Sequence, residues 1–126
     1  IGIAIPGPFD YAAGVSRMTH KFRSICGVDL RGVLHAMPGV PADAEIRFMQ
    51  DVNAALAGEI ARGNAAGYGA SALVSLGGQI SRSFAYMEAA LRDGLSDVAG
   101  LTRIAPAEHI GEAAFYGLLA QADGSC

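Results

Sequence analysis

Apolar and polar positions along the chain predict strands and helices in alternation. Residues 1–5 form an unbroken apolar run that ends at Pro6-Gly7-Pro8, which predicts a buried strand of a parallel sheet followed by a sharp turn. Residues 44–49 alternate, with Ile46 and Phe48 on one side, which predicts a strand with one buried face. Two further strands are expected over residues 71–76 and 101–105, and residues 9–28 are expected to form a polar loop.

Four stretches favour helices. Asp29 is a candidate N-cap for a short helix, and residues 54–62, rich in Ala and Leu, predict a second. A third, capped by Ser81 or Ser83, carries Phe84, Met87, Leu91 and Leu95 at helical spacing. A fourth spans residues 107–122 after Pro106, and its small-residue stripe (Gly111, Ala114 and Gly117) should allow close packing on a sheet.

This alternation predicts an α/β layer architecture. The chain has 126 residues, which suits one domain, and Gly63 to Ala70 is the best candidate for a linker or break. The apolar start at Ile1, without an initiator Met, suggests that an earlier segment is missing from the sequence.

Composition and charge narrow the function classes. The net charge of −3, with scattered basic residues, argues against a nucleic-acid-binding surface. No apolar run approaches the roughly 18 residues of a membrane span, and nothing resembles a signal peptide, so we expect a cytoplasmic protein without a membrane partner. Cys26 and Cys126 give no metal spacing, and no His, Cys, Asp or Glu cluster predicts a metal site.

Candidate chemistry lies at the carboxyl ends of the predicted strands, where open α/β sheets bind ligands. Asp51 ends one strand and begins a helix. From position alone a helix N-cap is the commoner role, and a general base that takes a proton from a substrate hydroxyl is the alternative. Gly77-Gly78 ends another strand, where it could admit a phosphate to a helix N-terminus or simply form a turn.

Three other titratable residues carry weaker expectations. His20 lies in a polar loop, and a surface role and a ligand contact are equally open. Glu59 lies eight residues after Asp51, about 12 Å along a helix, too far to share a proton, so we expect a structural or surface role. His109 is expected to be solvated in the first turn of the last helix.

Four segments resemble the sugar kinases of the ROK group, in the actin-like ATPase superfamily. They are Ile3-Ala-Ile-Pro-Gly-Pro-Phe-Asp10, Gln50-Asp-Val-Asn-Ala-Ala-Leu-Ala-Gly-Glu59, Ala72-Leu-Val-Ser-Leu-Gly-Gly-Gln-Ile-Ser81 and Gly111-Glu-Ala-Ala-Phe-Tyr-Gly117. The resemblance implies an incomplete ribonuclease H-like (actin-like ATPase) fold, a mixed sheet with flanking helices. Residues 1–66 would be part of a sugar-binding lobe with the catalytic Asp, and residues 67–126 part of a nucleotide-side lobe.

The resemblance also implies roles for individual residues. Asp51 would be the base, and Gln50 would replace the family's sugar-contacting Asn with a longer amide, which leaves the choice of sugar open. Gly7 would border the sugar pocket, His20 would approach the sugar, and Gly77 and Gly78 would lie near the nucleotide. The implied cofactors are ATP and Mg²⁺, with zinc possible in intact family members; the implied partner is a small-molecule sugar, and a homodimer is left open.

Several family motifs are missing from this sequence. The Asp-x-Gly-Gly-Thr phosphate motif would precede Ile1. The Gly-Thr-Gly-x-Gly loop and the zinc segment belong between the two blocks, where only residues 64–71 remain. A sugar-sensing ROK transcriptional regulator and an inactive fragment of the fold are therefore alternatives to an ATP-dependent hexose kinase.

Overall fold

The computed structural model describes residues 1–75, 83–109 and 111–124. These residues form a mixed α/β structure with two small sheets and four helices. In chain order the elements are β1 Gly2–Ile5, β2 Phe9–Asp10, β3 Val15–Ser16, a 3₁₀ turn Arg23–Ile25, α1 Leu30–His35, β4 Arg47–Gln50, α2 Asp51–Arg62, α3 Phe84–Gly94 and α4 Ala113–Ala122.

The two strands predicted from residues 1–5 and 44–49 pair with each other. Strands β1 and β4 are parallel, with Gly2 opposite Arg47 and Ile5 opposite Gln50, which confirms the parallel sheet predicted for the first strand. Ile46 and Phe48 are buried while Arg47 is exposed, as the alternation predicts. Because the strands run in the same direction and in register, both carboxyl ends lie at one edge of the sheet.

The stretch expected to be a polar loop is more ordered than its sequence suggests. Residues 9–16 contain the hairpin β2–β3, in which Phe9 is opposite Ser16. The turn passes through Gly14 at a φ of 79°, a conformation that glycine adopts without strain. Phe9 is buried against Phe48, with ring centroids 5.1 Å apart, and belongs to the apolar core with Ile46. The sequence prediction was wrong here because each strand has only two residues, too few to show a period.

Helix positions are predicted better than helix ends. Asp29 caps α1 by accepting a hydrogen bond from the Gly32 backbone N–H at 3.0 Å, as expected. Helix α3 confirms the periodic segment, although Ser83 at its N-cap makes no side-chain capping bond. Helix α4 begins at Ala113 rather than residue 107, so the prediction that Pro106 opens it is wrong: Gly111 has a φ of 90°, which is incompatible with a continuous helix.

The small residues of α4 pack chiefly on a helix, not only on a sheet. Only Gly117 of the predicted stripe is buried: the buried positions of α4 are Ala113, Gly117 and Ala120, and the helix packs chiefly on α2. A Cβ atom at Gly117 would overlap the carbonyl oxygen of Ala54, and one at Gly58 would overlap that of Ala113. The two helices therefore touch backbone to backbone, and α4 also contacts β1.

Two predicted strands are not observed. Residues 71–75 and 101–105 have no strand pairing, and Val74 is 75% exposed. An apolar run forms a strand only where a sheet edge accepts its backbone hydrogen bonds. None of these described residues pairs with β1 or β4.

Candidate functional site

The edge where β1 and β4 end gathers most of the predicted site residues. Asp51 follows directly after β4 and is the first residue of α2, so it lies beside the end of β1. Its carboxylate is half-buried, and Oδ1 accepts a hydrogen bond from the Val52 backbone N–H at 3.0 Å. Among the described residues, Oδ2 has no hydrogen-bond partner. Asp51 is therefore partly accessible to solvent, and the described residues leave one of its carboxylate oxygens without a hydrogen bond.

Gln50, not Asp51, is the N-cap of α2. Its side-chain oxygen accepts a hydrogen bond from the Asn53 backbone N–H at 2.9 Å. This corrects the expectation that Asp51 would most commonly be the cap, and it frees Asp51 for other chemistry. It also restricts the predicted sugar contact of Gln50, since the amide oxygen is held by Asn53 while the amide nitrogen binds no other described residue.

Gly7 lies at the same edge, in the turn that follows β1. It is exposed, and the side-chain atom that a Cβ at this position would meet is the hydroxyl oxygen of Tyr11, at 3.6 Å. This is an ordinary van der Waals distance, so a Cβ atom would fit at position 7 without overlap. Glycine leaves the space beside the strand ends open, although lack of room does not require it there.

Tyr11 completes this edge, and the sequence analysis did not identify it. Its hydroxyl donates to the carbonyl oxygen of Ile5, the last residue of β1, at 3.2 Å. Burial first, and then the negative charge of Asp51, raise the pKa of the Tyr11 phenol, so it stays protonated at neutral pH. We call the group formed by Gly7, Tyr11, Gln50 and Asp51 the strand-end site.

Two other predicted positions do not join this site. His20 is exposed on the loop between β3 and the 3₁₀ turn, and within the described part of the chain no hydrogen bond or ring contact links it to Asp51 or Gly7. The predicted nucleotide contacts, Gly77 and Gly78, lie outside the described residues. Of the residues predicted to surround the sugar, only Gly7, Gln50 and Asp51 lie together.

Glu59, at the other end of α2, is a buried structural carboxylate. It is 3% exposed and accepts three backbone N–H groups: those of Asn64 and Glu108 on Oε2, at 2.9 and 3.1 Å, and that of His109 on Oε1, at 3.2 Å. Burial alone raises the pKa of this carboxyl. The three hydrogen bonds and the charge of His109 outweigh it, so the pKa lies below its ordinary value. Glu59 therefore joins α2 to the segment before α4.

His109 corrects a second expectation. It is half-buried ahead of α4 rather than solvated within the helix, because its backbone N–H is bound to Glu59. Its ring lies 4.8 Å from that of Tyr116, and Nε2 is 3.2 Å from the carbonyl oxygen of Arg62. These contacts fix its orientation and give it a packing role.

Other surfaces of the described residues offer little competing chemistry. A depression of about 200 Å³ lies near the opposite, amino ends of β1 and β4, beside Arg47 and Gln121, and a smaller one of about 150 Å³ lies beside Arg92 and Leu95. Residues 1–75, 83–109 and 111–124 contain no group of three His, Cys, Asp or Glu side chains suited to a metal ion. Among the same residues no helix is long and apolar enough to cross a membrane.

Comparison of the chain with protein-family profiles, with curated proteins and with solved structures gives no match.

Proposed function

We propose that this chain is part of a sugar kinase of the ROK type, in which Asp51 is the general base. The observation that carries the proposal is the position of Asp51, at the carboxyl ends of two parallel strands, half-buried and with one carboxylate oxygen that no described residue binds. Ligands of α/β sheets bind at such ends. A phosphoryl-transfer enzyme needs one carboxylate beside the attacking hydroxyl.

The reaction needs little else from this edge. A sugar hydroxyl loses its proton to the Asp51 carboxylate as its oxygen bonds to the γ-phosphorus of ATP, and the bond from that phosphorus to the ADP oxygen breaks. Gly7 leaves room for the sugar, and the amide nitrogen of Gln50 can donate a hydrogen bond to a ring hydroxyl. The products are a sugar phosphate and ADP.

The phosphate side is supported by the resemblance alone. Gly77 and Gly78 lie outside the described residues, and the described residues provide no cluster of side chains that would hold Mg²⁺. In such enzymes the ion is bound largely by the nucleotide phosphates and water. No step described above depends on a metal ligand from this chain.

The ribonuclease H-like architecture is part of the same proposal. It is supported by the parallel pairing of β1 with β4 and by the direct passage from β4 into α2 at the proposed base. It predicts that in the intact protein further strands extend this sheet.

The test is the Asp51→Asn substitution in the intact protein that contains this chain, assayed for ATP-dependent phosphorylation of hexoses. Loss of a general base should lower kcat by about 10²- to 10⁴-fold. Asp43→Asn is the matched control, because Asp43 is exposed in the loop before β4 and should have no effect. Equal turnover by the Asp51→Asn variant and the wild type would remove the kinase assignment.

A sugar-binding protein that transfers no phosphate is the second candidate. It is favoured by the sequence itself, in which only residues 64–71 stand where the family carries its second phosphate loop. The same preparation separates the two candidates. A sugar sensor binds hexoses and leaves ATP unconsumed, whereas a kinase releases ADP in proportion to sugar phosphate.

A further inference from the structure

The hydroxyl of Tyr11 occupies a fixed position at the strand-end site. Its ring packs on Phe9, with centroids 5.2 Å apart, and Phe9 in turn packs on Phe48 in the core. Its Oη–H is committed to the carbonyl oxygen of Ile5. The side chain is thus held at both ends, by ring packing and by a hydrogen bond, and its hydroxyl is preorganised rather than free to rotate away.

The sheet register places this hydroxyl beside Asp51. Ile5, whose carbonyl binds Tyr11, is opposite Gln50, and Asp51 is the next residue. Neighbouring strands lie about 4.8 Å apart, so the phenol and the carboxylate both lie at the edge where β1 and β4 end. The open position beside Gly7 lies at the same edge, since a Cβ there would be in van der Waals contact with the Tyr11 oxygen.

The remaining hydrogen-bonding capacity of Tyr11 is that of an acceptor. A phenol has one O–H to donate, and here it is given to Ile5, so the Tyr11 oxygen can take part in a further hydrogen bond only as an acceptor. Asp51, as a carboxylate, is also an acceptor. A ligand that satisfies both must present two donors close together, which a pair of neighbouring alcohol groups does.

We propose that Tyr11 is a sugar-binding residue, which accepts a hydrogen bond from the hydroxyl next to the one that Asp51 deprotonates, and so selects sugars with two adjacent free hydroxyls. This inference rests on the proposed function and adds a specificity-determining contact to the same site. It assigns to Tyr11 a role in recognition rather than in proton transfer, which belongs to Asp51.

The experiment compares Tyr11→Phe with the wild type. The substitution keeps the ring that packs on Phe9 and removes the hydroxyl alone. D-glucose, D-mannose and D-fructose, together with the set of single-deoxy glucoses, are titrated into the ¹⁵N-labelled intact protein that contains this chain, and affinities are obtained from the amide shifts. Tyr86→Phe is the matched control, because Tyr86 on α3 is 90% exposed. The amide spectrum also shows whether each variant is folded.

Loss of one hydrogen bond predicts about 5- to 10-fold weaker binding of the full hexose that the wild type prefers. One deoxy sugar, which lacks the partner hydroxyl, should bind wild type and Tyr11→Phe equally, because protein and ligand each lack one half of the same contact. A purely structural role for Tyr11 would weaken every sugar alike and spare none of the deoxy series.

The outcomes separate this inference from the proposed function. The role of Tyr11 is overturned if Tyr11→Phe binds hexose as tightly as the wild type does, or if it binds every deoxy sugar more weakly by the same factor. The kinase assignment is then still decided by the effect of Asp51→Asn on turnover. If the folded wild type binds none of the sugars, the proposed function is wrong and the role of Tyr11 is wrong with it.

Discussion

The two ends of helix α2 carry carboxylates of the same chemistry in opposite settings. At the amino end Asp51 is half-buried, accepts one local hydrogen bond from the Val52 N–H and belongs to the strand-end site. Towards the carboxyl end Glu59 is buried and accepts three backbone N–H groups, one from nearby Asn64 and two from the distant segment before α4. The comparison shows that the described residues engage two carboxylates of one helix to different extents: three donors fix Glu59, whereas Asp51 keeps one oxygen that none of them binds.

The largest effect is expected from Gly58→Ala, in the packed half of α2. In an isolated helix alanine is favoured over glycine by about 1 kcal/mol. Here the added methyl group would overlap the carbonyl oxygen of Ala113, so α2 and α4 must move apart. We expect a loss of about 3 kcal/mol in the free energy of unfolding, measured by urea denaturation.

A matched substitution isolates the helix contact. Gly94 is the last residue of α3, and a Cβ there would meet no atom within 4 Å. Gly94→Ala should therefore leave stability unchanged or raise it by up to about 1 kcal/mol. If Gly58→Ala behaved in the same way, α2 and α4 would not be in backbone contact, and the carboxyl half of α2 would be as open as the amino end.

Glu59→Gln tests the buried carboxylate itself. The amide has one acceptor oxygen in place of two, so at least one of the three backbone N–H groups would face an NH₂ group. We expect a loss of about 2 kcal/mol in the free energy of unfolding, because the bonds to a charged acceptor are replaced and a donor is left unsatisfied. Glu108→Gln makes the same chemical change on an exposed side chain in the same segment and should cost less than about 0.5 kcal/mol.

The pH dependence of stability should show the same difference. The pKa of Glu59 is lowered in the folded protein, so its contribution is fully present above the unfolded pKa of about 4.3 and is lost as the pH falls through the folded value. The stability gap between wild type and Glu59→Gln should be constant from about pH 7 to 5 and narrow below about pH 4. A gap that stays constant or widens on acidification would show that the carboxylate is not held as an anion.

Local parts of this fold follow from the sequence, and parts that depend on distant partners do not. The parallel strand at the chain start, the Ile46/Phe48 face and the Asp29 cap each depend on a period or on one side chain, and all three are observed. Neither of the strands predicted over residues 71–76 and 101–105 forms among the described residues, because apolar character alone does not supply a paired edge.

The site was predictable to a similar extent. The sequence places Asp51, Gln50 and Gly7 at one sheet edge, but not Tyr11, whose position depends on the hairpin β2–β3 and the carbonyl of Ile5. Glu59 was expected to be structural or exposed, and its partners could not be named because Glu108 and His109 lie 49 and 50 residues away. Gly63 is the one local indication: a Cβ there would overlap the Glu59 carboxylate, so glycine lets the chain fold over it.

Gln50 gives the smallest effect and tests whether the amino end of α2 is free to serve a ligand. Gln50→Ala removes the bond from its side-chain oxygen to the Asn53 N–H and should cost about 1 kcal/mol of the free energy of unfolding. Gln50→Asn should change stability by less than about 0.5 kcal/mol, because Asn is a preferred N-cap and keeps an amide oxygen for the same N–H. The two variants together separate helix capping from sugar recognition. If Gln50→Asn binds hexose more weakly while its urea denaturation is unchanged, the longer side chain of Gln50 contacts the sugar. If affinity falls only where stability falls, Gln50 serves the helix alone, and the open end of α2 is reduced to Asp51 and its neighbours Gly7 and Tyr11.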